Sequence, residues 1–166
     1  VSRAGDQTSA PALYAFEAVL HRRPADAAAA GSHADAWGSW PSLAVPRDSL
    51  SQPLAIGFDE ASERLARLPR MFVEPDGAFV WTSPAAERPW QVDGNLFERG
   101  GHVLLVDLKG SCPPAEFDRL LEAFGWPAEP VMLGLVRAAV FLDEPTFRRH
   151  AAARGAAGDG QTLRPR

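Results

Sequence analysis

The chain has 166 residues, 46% of them hydrophobic and 23% charged, with five tryptophans and a formal net charge of −4. That balance belongs to a globular chain rather than a disordered one, and its acidic sign excludes a general nucleic-acid coat, which needs many cations to neutralise phosphates. No apolar run approaches the roughly 18 to 20 residues of a membrane span. The first residues also lack the basic start and apolar stretch of a secretory signal, and the single Cys112 cannot form an internal disulfide, so a cytoplasmic location is expected.

In chain order, Leu13, Phe16 and Leu20 recur at helical spacing within residues 11–22, with Ser9 near the cap and Pro11 at the start, which predicts a helix. Residues 24–53 lose any period and fill with Pro, Gly, Ser and Ala, the signature of a loosely draped arm that Trp37 and Trp40 would anchor. A compact part begins near Phe58. There, Ala61, Leu65 and Leu68 form one helical face after Asp59 as cap, and Pro69 stops the helix. Pro75-Asp76-Gly77 is a turn sequence between two β-rich runs, and Arg99-Gly100-Gly101 separates two more. Pro113 and Pro114 open a helix with Phe117, Leu120, Leu121 and Phe124 on one face. Residues 131–142 read as a strand broken at Gly134, and Asp143 caps a last helix.

The expected organisation is an N-terminal helix and flexible arm over 1–57, an α+β core over 58–154 and a disordered tail over 155–166. The core would hold a mixed central sheet of two hairpins and a further strand, flanked by helices. The strand from His102 to Leu108 is expected at its centre, covered on both faces, because its apolar side chains point both ways.

That strand ends in Asp107-Leu108-Lys109, and Lys109 is the only lysine among 17 cationic residues. A chain that uses Arg everywhere else keeps Lys where a compact ammonium or a movable proton is wanted, although one lysine must fall somewhere. A three-residue loop at Arg99–Gly101 would set Asp93 directly opposite Asp107, with Cβ atoms about 4.5–5.5 Å apart. Two carboxylates at that spacing repel each other unless they share a hard cation, and Mg²⁺ accepts one or two carboxylates while keeping its waters for phosphate. Lys109 points to the same face as Asp107.

The order helix, strands bearing Asp and then Asp-x-Lys, helix, strand resembles the restriction-endonuclease-like, or PD-(D/E)XK, nuclease superfamily over roughly residues 58–143. The resemblance implies an αβββαβ core and Mg²⁺- or Mn²⁺-dependent hydrolysis of DNA or RNA. Asp93 and Asp107 would bind the metal, Lys109 would position or activate the attacking water, and Glu60, rather than Glu63, would supplement the metal site. Asp93 departs from the family pattern in being followed by Gly rather than preceded by Pro, and the triplet's acid is Asp rather than the more usual Glu.

A non-catalytic interaction domain with a protein partner stands beside that reading. Residues 58–154 carry 15 acids against 11 Arg and Lys, a poor surface for a polyanion, with Arg148, Arg149 and Arg154 as the one cationic cluster. Cys112 at a helix start has no local His partner. His21, His33, His102 and His150 show no metal-ligand spacing and read as surface or turn residues. Ser111 is not in a nucleophile elbow. Trp81, Trp90 and Trp126 read as packing residues.

Overall fold

The computed structural model describes residues 12–158. Nine strands form one sheet: β1 (Tyr14–Arg22), β2 (Ala28–Asp35), β3 (Gly38–Ala44), β4 (Met71–Val73), β5 (Ala78–Thr82), β6 (Gln91–Arg99), β7 (His102–Cys112), β8 (Val131–Leu135) and β9 (Val140–Asp143). Their spatial order is β2-β3-β9-β8-β1-β7-β6-β5-β4. Among the described residues there are three α-helices: α1 (Phe58–Ala66), α2 (Pro114–Glu122) and α3 (Glu144–Ala156). No helix among the described residues is long and apolar enough to cross a membrane.

The class is α+β, and every strand pairing is antiparallel where a mixed sheet was expected. The largest departure is at the N-terminus, where residues 14–22 form a strand and not a helix. Phe16 and Leu20 are four apart, a spacing that serves one helix face and one strand face equally. Ala18, midway between them, breaks the tie, because it is buried with both, as only a period of two allows. The segment is fixed by long-range pairing, with β7 on one side and β8 on the other.

Residues 24–53 are likewise an ordered hairpin, β2–β3, followed by a 3-10 turn at Arg47–Ser51. The composition hid it because β2 is an edge strand whose side chains are largely solvated, so no apolar alternation was required of it. Thus Phe58 does not divide an arm from a core, since β1, β2 and β3 belong to the same sheet as the rest. At the other end α3 continues to Ala156, beyond the expected start of a tail, and residues 159–166 lie outside the described residues.

The later elements follow their local chemistry. Asp143 caps α3 by accepting a hydrogen bond from Thr146 N at 2.8 Å, while α1 is capped by Gly57 instead of Asp59. Residues 131–142 split into β8 and β9 around a turn at 136–139 rather than forming one broken strand. The sequence expectation that β7 is interior holds, with β1 and β6 as its neighbours. Its expected cover on both faces does not. Val106 and Leu108 are buried, whereas Asp107 and Lys109, which alternate with them, are exposed.

All three helices cover one face of the sheet. Ala61 and Leu65 of α1, Phe117 and Leu120 of α2, and Phe147 and Ala151 of α3 share a single core with Phe16, Ala18, Leu20, Val106 and Leu108. Arg148 braces α2 to α3 by pairing with Asp118 and Glu144, its guanidinium lying 5.1 Å from the centres of both the Phe117 and Trp126 rings. Where α3 meets the start of β1, a Cβ on Gly155 would fall 1.7 Å from the Leu13 carbonyl oxygen. Gly155→Ala is therefore expected to lower stability by at least about 2 kcal/mol. The check is a lower urea midpoint at unchanged denaturant dependence; an unaltered midpoint would contradict this seating of α3.

Candidate functional site

The uncovered face of the sheet carries the residues singled out in the sequence. Gly100 and Gly101 adopt positive φ of 58° and 81°, and Arg99 pairs directly with His102, so the β6–β7 turn has two residues rather than three. A bulge at Phe97/Glu98 then moves the pairing by one more residue. The two one-residue steps preserve the face but change the partners. Asp93 lies opposite Lys109, and Asp107 lies opposite Asn95. Asp93 and Asp107 are diagonal neighbours and not the facing pair that was expected.

The pairing extends across the sheet. Phe72 faces Val80, Val80 faces Asp93, Asp93 faces Lys109 and Lys109 faces Glu17 of β1. The only lysine therefore sits between two acids on neighbouring strands, an arrangement that favours each cross-strand pair by roughly 0.2–1 kcal/mol. Asp93 also accepts a hydrogen bond from Gln91 Nε2 at 2.8 Å. Although Asp107 is exposed, partial desolvation at the sheet surface raises the affinity of its carboxylate for a proton.

Glu60 is not brought to these carboxylates. Its helix, α1, packs through Ala61 and Leu65 on the covered face, and Glu60 is engaged by Arg64 Nη2 at 2.7 Å. Among the described residues no group of three or more His, Cys, Asp or Glu side chains converges as a metal site would require. Cys112 and Ser111 are both buried, and burial pushes the Cys112 thiol far above its ordinary range, away from a nucleophile's thiolate.

A second constellation escaped the sequence reading. The tip of the β2–β3 hairpin folds onto α3 so that Asp35 Oδ2 meets His150 Nε2 at 2.8 Å. The Trp37 and Trp40 rings stand edge-on to the imidazole, with centres 5.6 and 5.1 Å away. The two tryptophans thus do anchor this segment. His150, expected at the surface, has a side chain only 2% exposed. Asp35 also accepts from Trp37 N at 2.9 Å and Trp40 Nε1 at 3.0 Å, and His33 Nε2 lies 3.6 Å from it. Residues 115 positions apart in sequence give no local signal of such a pair; His33-x-Asp35 beside two tryptophans is the only trace.

Burial works against the Asp35 carboxylate, but the hydrogen bonds from Trp40, His150 and the Trp37 amide outweigh it and hold its pKa below the usual carboxylate value. Burial lowers the His150 pKa more than Asp35 raises it. At neutral pH the pair is therefore a carboxylate accepting from a neutral imidazole, which leaves Nδ1 as a lone-pair acceptor. Nδ1 is shut off from solvent and has no hydrogen-bond partner. Beside the pair lies a cavity of about 480 Å³ that reaches Glu17 and Lys109 on the central strands and Arg137 in the β8–β9 turn.

Comparison with protein-family models, curated proteins and solved structures found no match to this chain.

The dyad has a pH signature. A histidine whose folded pKa is depressed takes up its proton more readily in the unfolded chain, so stability falls as pH drops through the unfolded value of about 6.5 toward the lower folded one. His21, also depressed by burial, acts in the same window. Asp35 contributes stability above the unfolded carboxylate value near 3.9 and loses it as pH falls through its lower folded value. Urea titrations at about pH 7.5 and about pH 5.5 should show wild type weakening on acidification. His150→Gln, whose amide can still donate to Asp35, should weaken less, with His21 supplying the remaining slope. An equal slope in both proteins would mean that His150 is not held neutral.

Proposed function

We propose that the protein is a non-catalytic binding domain that holds a protein partner on the uncovered face of its sheet. The observation that carries this reading is the row from Phe72 to Glu17, apolar at the edge and charged at the centre, with no helix over it. Phe72 is 65% exposed and Phe97, on the same face, 41%. Exposed aromatic side chains on an uncovered sheet face are a feature of interaction surfaces. The central charges fix the partner's chemistry. Asp93, Asp107 and Glu17 outnumber Lys109 on this face, so the complementary surface has an apolar projection and basic side chains beside it.

The reading is tested by placing a photo-cross-linking residue at position 97 and another at Glu63, on a helix of the opposite face. The first should capture a partner that the second does not. Phe97→Asp should weaken the affinity of that partner about 30-fold or more, the scale of a central aromatic anchor, at unchanged thermal stability. Equal capture from both positions, or full affinity in Phe97→Asp, would overturn it.

One observation favours a metal-dependent phosphodiesterase instead: Asp93, Asp107 and Lys109 project from one face, as the restriction-endonuclease-like resemblance requires. The fit to Mg²⁺ or Mn²⁺ is incomplete, because Asp93 faces an ammonium and Glu60 lies across the sheet. Cleavage of DNA or RNA that needs Mg²⁺ and disappears in Asp107→Ala would establish that reading in place of the first.

A further inference from the structure

We infer that the β2–β3 hairpin is an acid-released flap: acidification, sensed by His150, frees it from α3 and β9 while the rest of the sheet stays folded. This device is separate from the partner surface proposed above and does not depend on it.

The way the hairpin is attached prepares it for release. Its two strands pair with each other along their length, from Ala28 opposite Ala44 to Asp35 opposite Gly38. To the rest of the sheet they are joined by one ladder pair, Leu43 with Phe141 of β9. The second attachment is the tip, where Asp35, Trp37 and Trp40 converge on the His150 imidazole. A unit paired well within itself and poorly to its surroundings opens locally at less cost than the whole fold. Its departure leaves β9 as the sheet edge and uncovers the side of α3 that carries His150.

The surroundings of His150 couple that opening to protons. Its side chain is 2% exposed, and Nδ1 is closed to solvent and without a partner. In the closed state a proton on Nδ1 makes a buried charged donor with nothing to receive it, which is costly. Once the tip lifts, the ring meets water and titrates near its ordinary value of about 6.5. From β2 the ring faces Asp35 and also His33, whose Nε2 lies 3.6 Å from the same carboxylate oxygen. Its own helix brings Arg154, set 4.7 Å from the centre of the Trp37 ring, and the turn and β3 bring only indoles. Across the cavity Glu17, Lys109 and Arg137 alternate in sign, with Asp93 opposite Lys109. Burial is the largest influence and lowers the His150 pKa; Asp35 raises it, and Arg154 and His33 lower it further.

The other attachment also rests on an imidazole. His21 stands edge-on to Phe141, 5.4 Å between ring centres, and burial alone lowers its pKa. Its partner across the ladder is the uncharged Met132. Because the closed-state values are depressed, the open state binds more protons. Closure is therefore strongest above the open-state value of about 6.5 and weakens as pH falls through it toward the lower closed-state value. One fully coupled histidine raises the open population about tenfold by about pH 5.5. Asp35, held below the usual carboxylate value, stays ionised throughout that window.

The test is amide hydrogen exchange on the purified full chain, followed by NMR at about pH 7.5 and about pH 5.5 and corrected for the intrinsic rates. The amides at the Leu43–Phe141 contact should open at least about tenfold more often than those joining β1 to β7. Their opening constant should rise about tenfold on acidification. His150→Gln, whose amide can still donate to Asp35, should cut that rise to about threefold or less, with His21 supplying the remainder. Equal protection at both ladders would mean that the hairpin leaves only when the whole fold does, and would overturn the inference. So would an opening constant indifferent to pH, or the full rise persisting in His150→Gln. The first two results come from the wild-type chain, so the inference can fail without any variant.

Discussion

Everything in this fold is placed by the pairing of β1 on both its edges. One side holds β7 and, through it, the β4–β5–β6 strands; the other holds β8, β9 and the β2–β3 hairpin. Because the sheet is antiparallel throughout, its connections need no crossover helices, and nothing obliges the helices to occupy both faces. All three gather on the face that presents Phe16, Ala18 and Leu20. The alternation of each strand then sends Glu17, Asp93, Asp107 and Lys109 to the other face. Covering one face and exposing the other are two consequences of the same pairing.

How much of this was legible depended on whether the signal was local. The turn at Pro75-Asp76-Gly77, the Asp143 cap and the apolar face of α2 are written in neighbouring residues, and the structure places each as read. The N-terminal strand was not legible because Phe16 and Leu20 satisfy both periods, and the choice is made by β7 and β8, more than 80 residues away in sequence. Gly94 makes a similar point. Asp93-Gly94-Asn95 reads as a turn, yet it lies within β6, because the absent side chain makes room for the Phe79 ring, only 2.1 Å from where a Cβ would sit. At the candidate site, the shared face of Asp107 and Lys109 was legible from parity within one strand. Asp93 joins them only because a bulge offsets the two-residue turn, and neither shift leaves a distinctive composition from which the partners could be read.

The two surfaces of interest meet at Lys109 and Glu17. On the open face these residues form the charged centre of the row that begins at Phe72, and at its end they border the cavity beside the hairpin. The hairpin is held there by Asp35, His150 and two tryptophans rather than by a broad apolar interface. Its only ladder contact to the rest of the sheet is Leu43 with Phe141. Side-chain chemistry at the tip therefore has an unusually large share in keeping the cavity formed, and the neutral state of His150 is part of that chemistry.

The β6–β7 register decides the character of the open face, because it sets Asp93 against Lys109 instead of Asp107. Cysteine pairs read that register without reference to function. Directly opposed residues have Cα atoms about 4.5–5.5 Å apart, within the range a disulfide spans, whereas diagonal neighbours lie about 7–8 Å apart, at or beyond its limit. The resident Cys112 is buried and will not compete. Under mild oxidation the double variant Asp93→Cys with Lys109→Cys should close an internal disulfide rapidly, and Asp93→Cys with Asp107→Cys should remain reduced. Efficient closure of the second pair and not the first would contradict the account and restore the facing carboxylates.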